Sequence, residues 1–228
     1  MYIVYLCSRS INNVSPFLEV NGTSIVERIC NGFSKLSGCE NIFLTNVPSD
    51  RNSESLFENT RVVVVPANTM GSAATALYGT CTLNPDSPMW LVCTNEFVDV
   101  NWKEVTDWFV ENKADVGMLT FKSTANKYSY VKTQGDKVLE LAQYNQISNF
   151  ATTGAFWFRK VDFFITAAKQ LIMKRVVVNN QYYVALSINQ SILAGKSVLH
   201  KAIDRNDYYP AKDMRDILRM EIILNEKD

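Results

Sequence analysis

The stretch that decides the fold covers residues 128–160 and reads YSYVKTQGDKVLELAQYNQISNFATTGAFWFRK. Apolar and polar residues alternate at 128–133 and again at 138–142, with turn-forming residues 134–136 between them, which predicts a β-hairpin. After a polar loop, residues 155–159 are short, aromatic and typical of a buried strand. Rigid elements therefore hold the loop on both sides, which favours it as the position of a site.

On either side of this stretch, short apolar runs alternate with amphipathic helical patterns. Strands are predicted at residues 2–6, 41–45, 61–65, 90–93, 116–121 and 198–203, and helices at 25–36, 73–77, 102–112, 161–173, 182–193 and 211–224. Thr23 or Ser24 is placed to cap the first helix. This alternation predicts one α/β domain over residues 1–228, with a mixed, mostly parallel sheet, helices on both faces and an antiparallel hairpin extension.

The composition excludes several classes of function. Lys and Arg together number 23, as do Asp and Glu, and no local cluster of basic residues provides a nucleic-acid surface. No apolar run reaches the roughly 18 residues of a transmembrane helix. The five cysteines lack the spacing of a zinc or redox motif, which indicates buried thiols in a reducing compartment and hence a cytoplasmic protein. The single histidine, His200, excludes a histidine-rich metal site and is expected to be structural.

Polar loops follow predicted strands at residues 7–13, 68–72 and 94–96. The carboxyl ends of parallel strands meet at one edge of a sheet, where open α/β sheets bind their ligands. Gly71 and Ser72 precede a predicted helix, so their backbone N–H groups can face a phosphate. A glycine at a helix start is also ordinary permissive backbone, so both interpretations stay open at this position.

Five segments occur in an order and at a spacing that resemble a known family. They are SPFLEVNGTSIVERI (residues 15–29), NTMGSAAT (68–75), LVCTNEFVDV (91–100), KYSYVKTQGDKVLELAQYNQISNFATTGAFWF (127–158) and VNNQYYVALSINQSILAGKSV (178–198). Together they resemble the sugar nucleotidyltransferase family of capsular and surface-polysaccharide biosynthesis, over most of residues 14–203. The resemblance implies a GT-A-like fold. It also implies a transferase that joins a nucleoside triphosphate to a phosphorylated sugar or another small phosphate and releases pyrophosphate.

Several residues differ from the motifs of that family. Its first loop is rich in glycine and carries an arginine, which remains here as Arg9, whereas Ser15 stands in place of a phosphate-binding lysine. The aspartate that the family uses to hold Mg²⁺ corresponds to Asn95, whose amide brings no charge to a hard cation. A Glu-Lys pair of the family corresponds to Gln143 and Tyr144.

The polar loops at the strand ends and the resemblance together give a set of candidate site residues. They are Arg9 and Asn95 as catalytic residues; Cys7, Ser8, Ser10, Gly71, Ser72 and Thr94 as nucleotide-binding residues; Gln143, Asn149, Thr153, Gly154 and Gln181 as substrate-binding residues; and Asp204 as a metal ligand. Gln181 stands at an acidic position of the family, so it keeps the hydrogen-bonding shape without the charge. The set predicts a charge-depleted pocket, in which Arg9, Lys127 and Lys132 are the available cations.

Three functions remain open at this point. The first, implied by the resemblance, is a nucleotidyltransferase with an atypical site. The second is a nucleotide-sugar-dependent glycosyltransferase on the same fold, and the third is a non-catalytic relative that binds a nucleotide or a partner enzyme. The expected ligands are a nucleoside triphosphate or nucleotide sugar and a phosphorylated sugar or other small phosphate. Mg²⁺ is the cofactor that the family implies, and the neutral Asn95 argues against it.

Overall fold

The computed structural model describes residues 1–7, 14–46 and 60–226, and these ranges contain thirteen β-strands and six α-helices. The strands are β1 Tyr2–Cys7, β2 Glu19–Val20, β3 Thr23–Ser24, β4 Glu40–Thr45, β5 Thr60–Val64, β6 Met89–Cys93, β7 Glu96–Val98, β8 Val116–Lys122, β9 Ser129–Gln134, β10 Lys137–Gln143, β11 Phe150–Phe158, β12 Val198–Ala202 and β13 Tyr208–Pro210. The helices are α1 Ile25–Phe33, α2 Ser72–Thr80, α3 Trp102–Glu111, α4 Val161–Met173, α5 Val184–Leu193 and α6 Met214–Asn225.

One mixed sheet organises the described part of the chain, with strand order β5-β4-β1-β6-β11-β8-β12-β10-β9. Strands β5, β4, β1 and β6 are parallel neighbours, as are β8 and β12. Strand β11 lies between these two groups and is antiparallel to both β6 and β8. The mixed α/β class is as predicted, but the sheet is less parallel than expected. A strand buried on both faces carries no local signal of its direction, so the sequence could not place β11.

Helices cover both faces of this sheet, as the sequence predicted. Alternate residues of β1 point to opposite sides, so that Ile3 and Tyr5 pack with α1, α3 and α6, whereas Val4 and Leu6 pack with α2, α4 and α5. The predicted hairpin is formed by β9 and β10, and it extends the sheet at the end opposite β5. The first helix begins where the cap was expected, because the Ser24 side chain accepts a hydrogen bond from the Glu27 backbone N–H at 3.2 Å.

The strand after the hairpin is longer than predicted and contains an irregularity. It covers nine residues instead of the expected five, and its register with β8 shifts between Thr152 and Phe156. Gly154 lies inside this shift with φ at +72°, a conformation that favours glycine. The irregularity interrupts the alternation of the sequence, which explains why only the aromatic second half was recognised as a strand.

A second, two-stranded sheet joins the C-terminal part of the chain to the end of β6. Its strands are β7 and β13, in which Tyr208 pairs with Val98 and Pro210 with Glu96. The pairing continues through the Ala211 backbone N–H, which donates to the Asn95 carbonyl at 2.9 Å. The sequence predicted neither strand, and it started the last helix at residue 211. The helix starts only at Met214, so the preceding residues form an extended segment beside the end of β6.

The sequence predicted that the cysteines are buried thiols. All five thiols are free; Cys7 and Cys30 are buried, whereas Cys81 is exposed. The expectation of buried thiols therefore holds for only part of the set.

Among the helices of the described ranges, none combines the length and apolar character needed to cross a membrane.

Candidate functional site

A cavity of about 700 Å³ opens at the carboxyl ends of β1, β4 and β6. Cys7 ends β1, Asn46 follows β4, and Thr94 and Asn95 follow β6, and all four line the cavity. The hydroxyl of Thr94 donates to the Leu6 carbonyl at 2.8 Å, which joins the end of β6 to that of β1. The cavity therefore lies at the edge of the sheet where the polar loops were expected to meet.

The N-terminal ends of α2, α5 and α6 surround this cavity. Ser72, Val184 and Asp213 belong to these ends and line it. Neither α2 nor α5 has a side-chain N-cap, whereas Asp213 caps α6. The helix dipole favours negative charge at the starts of α2 and α5, whereas the Asp213 carboxylate already occupies the start of α6. The cavity is therefore suited to a ligand with anionic or strongly hydrogen-bonding groups.

Close backbone contacts hold the starts of α2 and α5 together. The Tyr182 backbone N–H donates to Met70 at 2.8 Å, and the Ala73 N–H donates to Tyr182 at 2.9 Å. Between these two hydrogen bonds, Gly71 has φ at +97°, and a Cβ there would lie 2.6 Å from the Tyr182 carbonyl oxygen. The Ser72 hydroxyl also accepts a hydrogen bond from the Val184 N–H at 3.2 Å. The glycine is thus required by this contact, whatever ligand the cavity takes.

Most of the candidate residues that the structure describes lie at the cavity. Those that line it are Cys7, Gly71, Ser72, Thr94, Asn95, Gln143, Gly154 and Gln181. Arg9, Ser8 and Ser10 lie outside the described residues. Lys127 also lines the cavity, whereas Lys132 is exposed on β9, away from it.

Three candidate residues lie outside the cavity lining. Thr153 is buried on the opposite side of β11 from Gly154, because successive side chains of a strand point to opposite faces. Asn149 is exposed, and its side chain accepts a hydrogen bond from Gln146 at 3.3 Å. Asp204, named as a metal ligand, is also exposed and accepts from the Asn206 N–H at 2.8 Å, so that its carboxylate caps a short 3₁₀ turn.

A buried acidic side chain anchors the charged part of the cavity. Glu96 is only 5% exposed; its carboxylate lies 3.1 Å from Lys212 Nζ and accepts a hydrogen bond from the Tyr208 hydroxyl. A Cβ at Gly154 would collide with the Glu96 carboxylate, so the glycine provides the room for it. Burial and the nearby negative charge raise the pKa of Tyr208 well above its ordinary value, which keeps this hydroxyl protonated as a donor.

The pairing with Glu96 keeps Lys212 charged. Burial is the largest single effect and lowers the pKa of Lys212, but the charge and hydrogen bond of Glu96, together with Cys93 and Tyr128, outweigh it, and the pKa lies above the usual lysine value. Cys93 lies in the same region, and burial followed by the charge of Glu96 raises its pKa to about 12. Its thiol therefore stays protonated near neutral pH and is not an activated nucleophile.

Sequence reasoning missed the Glu96–Lys212 pair. Glu96 was recognised only as part of a polar loop, and Lys212 lay inside a helix expected to begin at residue 211. The ion pair depends on the pairing of β7 with β13. Neither segment has a sequence pattern that predicts this pairing. The Lys-Asp dipeptide at 212–213, directly before the apolar pattern of α6, was the available hint, because aspartate is a preferred N-cap.

The carboxylates at the cavity do not offer a metal-binding group. Asn95 brings a neutral amide where the family resemblance implied an acidic ligand. Of the described lining residues, only Glu96 and Asp213 carry carboxylates; Glu96 contacts Lys212 and Tyr208, and Asp213 caps α6. Across residues 1–7, 14–46 and 60–226, no three His, Cys, Asp or Glu side chains form a group that could hold a metal ion. The described lining therefore does not fit a Mg²⁺ ion held by the protein.

His200 is not among the residues that line the cavity. Its Nδ1 forms a hydrogen bond with the Thr120 hydroxyl at 2.8 Å, and its Nε2 lies 3.2 Å from the Gly135 carbonyl oxygen. Burial lowers the pKa of His200, which favours the neutral ring. The histidine thus joins β8 and β12 to the hairpin turn, as its expected structural role implies.

Solved structures with the same fold include sugar nucleotidyltransferases. The nucleoside-diphosphate-sugar pyrophosphorylase from Vibrio cholerae RC9 superposes with a TM-score of 0.79 at 17% identity, over 95% of this chain and 99% of that one. The inositol-1-phosphate CTP transferase from T. maritima gives 0.77 at 12% identity, over 98% and 94% of the two chains. A UDP-glucose pyrophosphorylase complexed with UDP-glucose gives 0.75 at 10% identity, over 100% and 99%.

These similarities define the fold of the chain. It is a nucleotidyltransferase-like, GT-A-like α/β fold, as predicted, and it extends over nearly the whole sequence. No protein-family model matches the sequence, and no curated protein matches it either. At 10–17% identity the likeness concerns the fold, so the chemistry must be inferred from the cavity.

Proposed function

We propose that this chain is a sugar- or small-phosphate nucleotidyltransferase-like protein that binds a nucleoside triphosphate or nucleotide sugar in the cavity. The observation that carries the proposal is the position of this cavity, at the carboxyl ends of the strands and beside the N-termini of α2 and α5. A volume of about 700 Å³ falls within the usual range of small-ligand sites. The neighbours that share the fold include a protein complexed with UDP-glucose.

The lining suggests how the two ends of such a ligand are accommodated. Gly71 and Ser72 line the cavity at the start of α2, a helix end that favours the anionic part of a nucleotide. Gln143 and Gln181 lie in the lining with amide side chains, which donate and accept hydrogen bonds as sugar hydroxyls require. We place the protein in surface-polysaccharide biosynthesis, in line with the resemblance of its segments, and in the cytoplasm, in line with its free thiols.

A second candidate, non-catalytic nucleotide binding, is favoured by the absence of a metal-binding group among the described residues. Nucleotidyl transfer depends mainly on positioning and on stabilisation of developing charge. Loss of one stabilising group in such a site costs on the order of 10²–10³ in rate. The protein can therefore retain nucleotide binding and have little or no turnover.

The deciding experiment combines thermal unfolding with a pyrophosphate assay. A nucleotide at about 100 times its dissociation constant should raise the Tm by about 5–10 °C. Each nucleoside triphosphate is then incubated with Mg²⁺ and a panel of sugar phosphates. Release of pyrophosphate supports the transferase, and stabilisation without turnover supports the binding protein. Hydrolysis of a nucleotide sugar supports the glycosyltransferase alternative. No stabilisation by any nucleotide or nucleotide sugar would contradict the proposed function.

Asn95 and Gln181 stand at positions that are acidic in the family that the sequence resembles. Replacing both amides by acids tests whether the cavity corresponds to the Mg²⁺ site of that family. Asn95→Asp combined with Gln181→Glu adds two carboxylates to the lining. Hard cations prefer carboxylate oxygens, so we expect Mg²⁺-dependent nucleotide binding to strengthen by about tenfold. Calorimetric titration with and without Mg²⁺ measures the change, and Asn149→Asp combined with Gln146→Glu is the control outside the lining. Equal Mg²⁺ dependence of wild type and the cavity variant would count against this placement of the site.

A further inference from the structure

One ammonium group occupies the inner wall of the cavity. Lys212 lies in the lining and its side chain is 21% exposed. Its Nζ is 3.1 Å from the Glu96 carboxylate and 5.6 Å from the centre of the Tyr128 ring, and both of these residues line the cavity as well. The charge is therefore held in a fixed place within the cavity wall.

The contacts of Glu96 determine where this charge lies. The Tyr208 hydroxyl donates to the same carboxylate that contacts Lys212. The carboxylate is thus held between Tyr208 and Lys212, which fixes the position of the ammonium in the cavity wall. An ammonium carries three N–H donors, so it can hold Glu96 and a phosphate oxygen at the same time.

Lys127, the other lysine among the described lining residues, is less suited to this task. Its Nζ lies 3.0 Å and 3.2 Å from the two carboxylate oxygens of Asp216, and its side chain is 42% exposed at the surface. Asp216 also accepts from the Lys212 backbone N–H at 3.1 Å. This ion pair therefore joins the loop before β9 to the start of α6, and it helps to fix the segment that carries Lys212.

We propose that Lys212, held by Glu96, is a built-in cation that binds the phosphate groups of the nucleotide and replaces a divalent metal ion in this step. The inference rests on the proposed function, because it assigns the phosphate position within the same cavity. Its basis is a disagreement: the fold is shared with nucleotidyltransferases, yet the described carboxylates form no metal-binding group and the buried carboxylate holds a lysine. A compact ammonium charge is a common partner of phosphate.

Nucleotide titration in excess EDTA tests this inference directly. The probes are ATP, CTP, GTP, UTP and thymidine triphosphate, each titrated calorimetrically in EDTA and again in Mg²⁺. We expect the dissociation constant of the best ligand to differ by less than about threefold between the two conditions. Loss of one charge-assisted contact should make Lys212→Met bind about 10- to 100-fold more weakly in EDTA. Lys212→Arg keeps the charge and should retain most of the affinity.

Two further variants separate binding from folding. Lys212→Met alone leaves Glu96 buried without its cation, so Glu96→Gln combined with Lys212→Met removes both charges together. This double variant should fold, as judged by circular dichroism and denaturant unfolding, and should still lose the affinity. Lys132→Met makes the same chemical change on exposed β9 and should bind like the wild type.

The outcomes distinguish this inference from the proposed function. Wild-type protein that binds a nucleotide in Mg²⁺ but not in EDTA would overturn the role of Lys212 and leave the function standing. Equal affinity of the folded double variant and the wild type in EDTA would also overturn it. Failure of the wild type to bind any probe in either condition would overturn the inference, and it would overturn the proposed function as well if the thermal screen also shows no stabilisation by any nucleotide sugar.

Discussion

Replacement of Glu96 by alanine is expected to lower the free energy of unfolding by about 3 kcal/mol. The carboxylate is 5% exposed and joins Lys212 to Tyr208, so its removal takes away the buried anion that both groups contact in the cavity wall. Breaking a buried pair from one side costs more than removing both partners, because one charge is left without compensation. Equilibrium unfolding in urea measures the change.

Two comparisons isolate the buried charge as the cause. Asp107→Ala breaks the ion pair with Lys103 on α3, where both side chains are about half exposed, and should cost less than about 1 kcal/mol. Glu96→Ala combined with Lys212→Met removes both charges and should recover part of the loss. A stability of Glu96→Ala within about 1 kcal/mol of the wild type would show that the pair contributes little to the fold.

The strands of the main sheet and the helices that cover it could be predicted because each has a strong local sequence pattern. The apolar run of β1 matches a strand buried on both faces, and α4 has the predicted bounds of residues 161–173. The direction and the order of the strands were harder to predict, since they depend on which strands pair in the sheet. The insertion of β11 between β6 and β8 follows from such contacts, and its buried sequence is compatible with either direction.

The site was predictable to the extent that it lies at strand ends and helix starts. Asn95, Gly71 and Gln181 come from distant parts of the chain, and the structure brings them to one cavity. Lys212 was not found, because its role depends on the short pairing of β13 with β7. A three-residue strand has too little pattern to be recognised, and a single lysine before a helix is usually solvated. The charged contact in the cavity thus results from long-range pairing, which local patterns do not encode.

Gly71→Ala is expected to have the largest effect on the shape of the cavity, with a loss of stability of roughly 3–5 kcal/mol. With φ at +97° and ψ at 173°, Gly71 adopts a conformation essentially limited to glycine. The added Cβ would also lie 2.6 Å and 2.8 Å from the Tyr182 carbonyl oxygen and nitrogen. Backbone atoms cannot relieve the overlap by a change of rotamer, as a flexible side chain can. The starts of α2 and α5 must therefore move apart.

The position of Gly71 makes this variant a test of the site as well as of the fold. Gly135→Ala is the matched control, because Gly135 also has a positive φ but nothing lies within 4 Å of an added Cβ. Its cost should be only the backbone strain, about 1–2 kcal/mol. Near the Tm of each protein, nucleotide should still stabilise Gly135→Ala, whereas Gly71→Ala should lose that stabilisation because the separated starts of α2 and α5 no longer form one wall of the cavity. Wild-type stability and full nucleotide response in Gly71→Ala would mean that the contact between Gly71 and Tyr182 does not hold the cavity together.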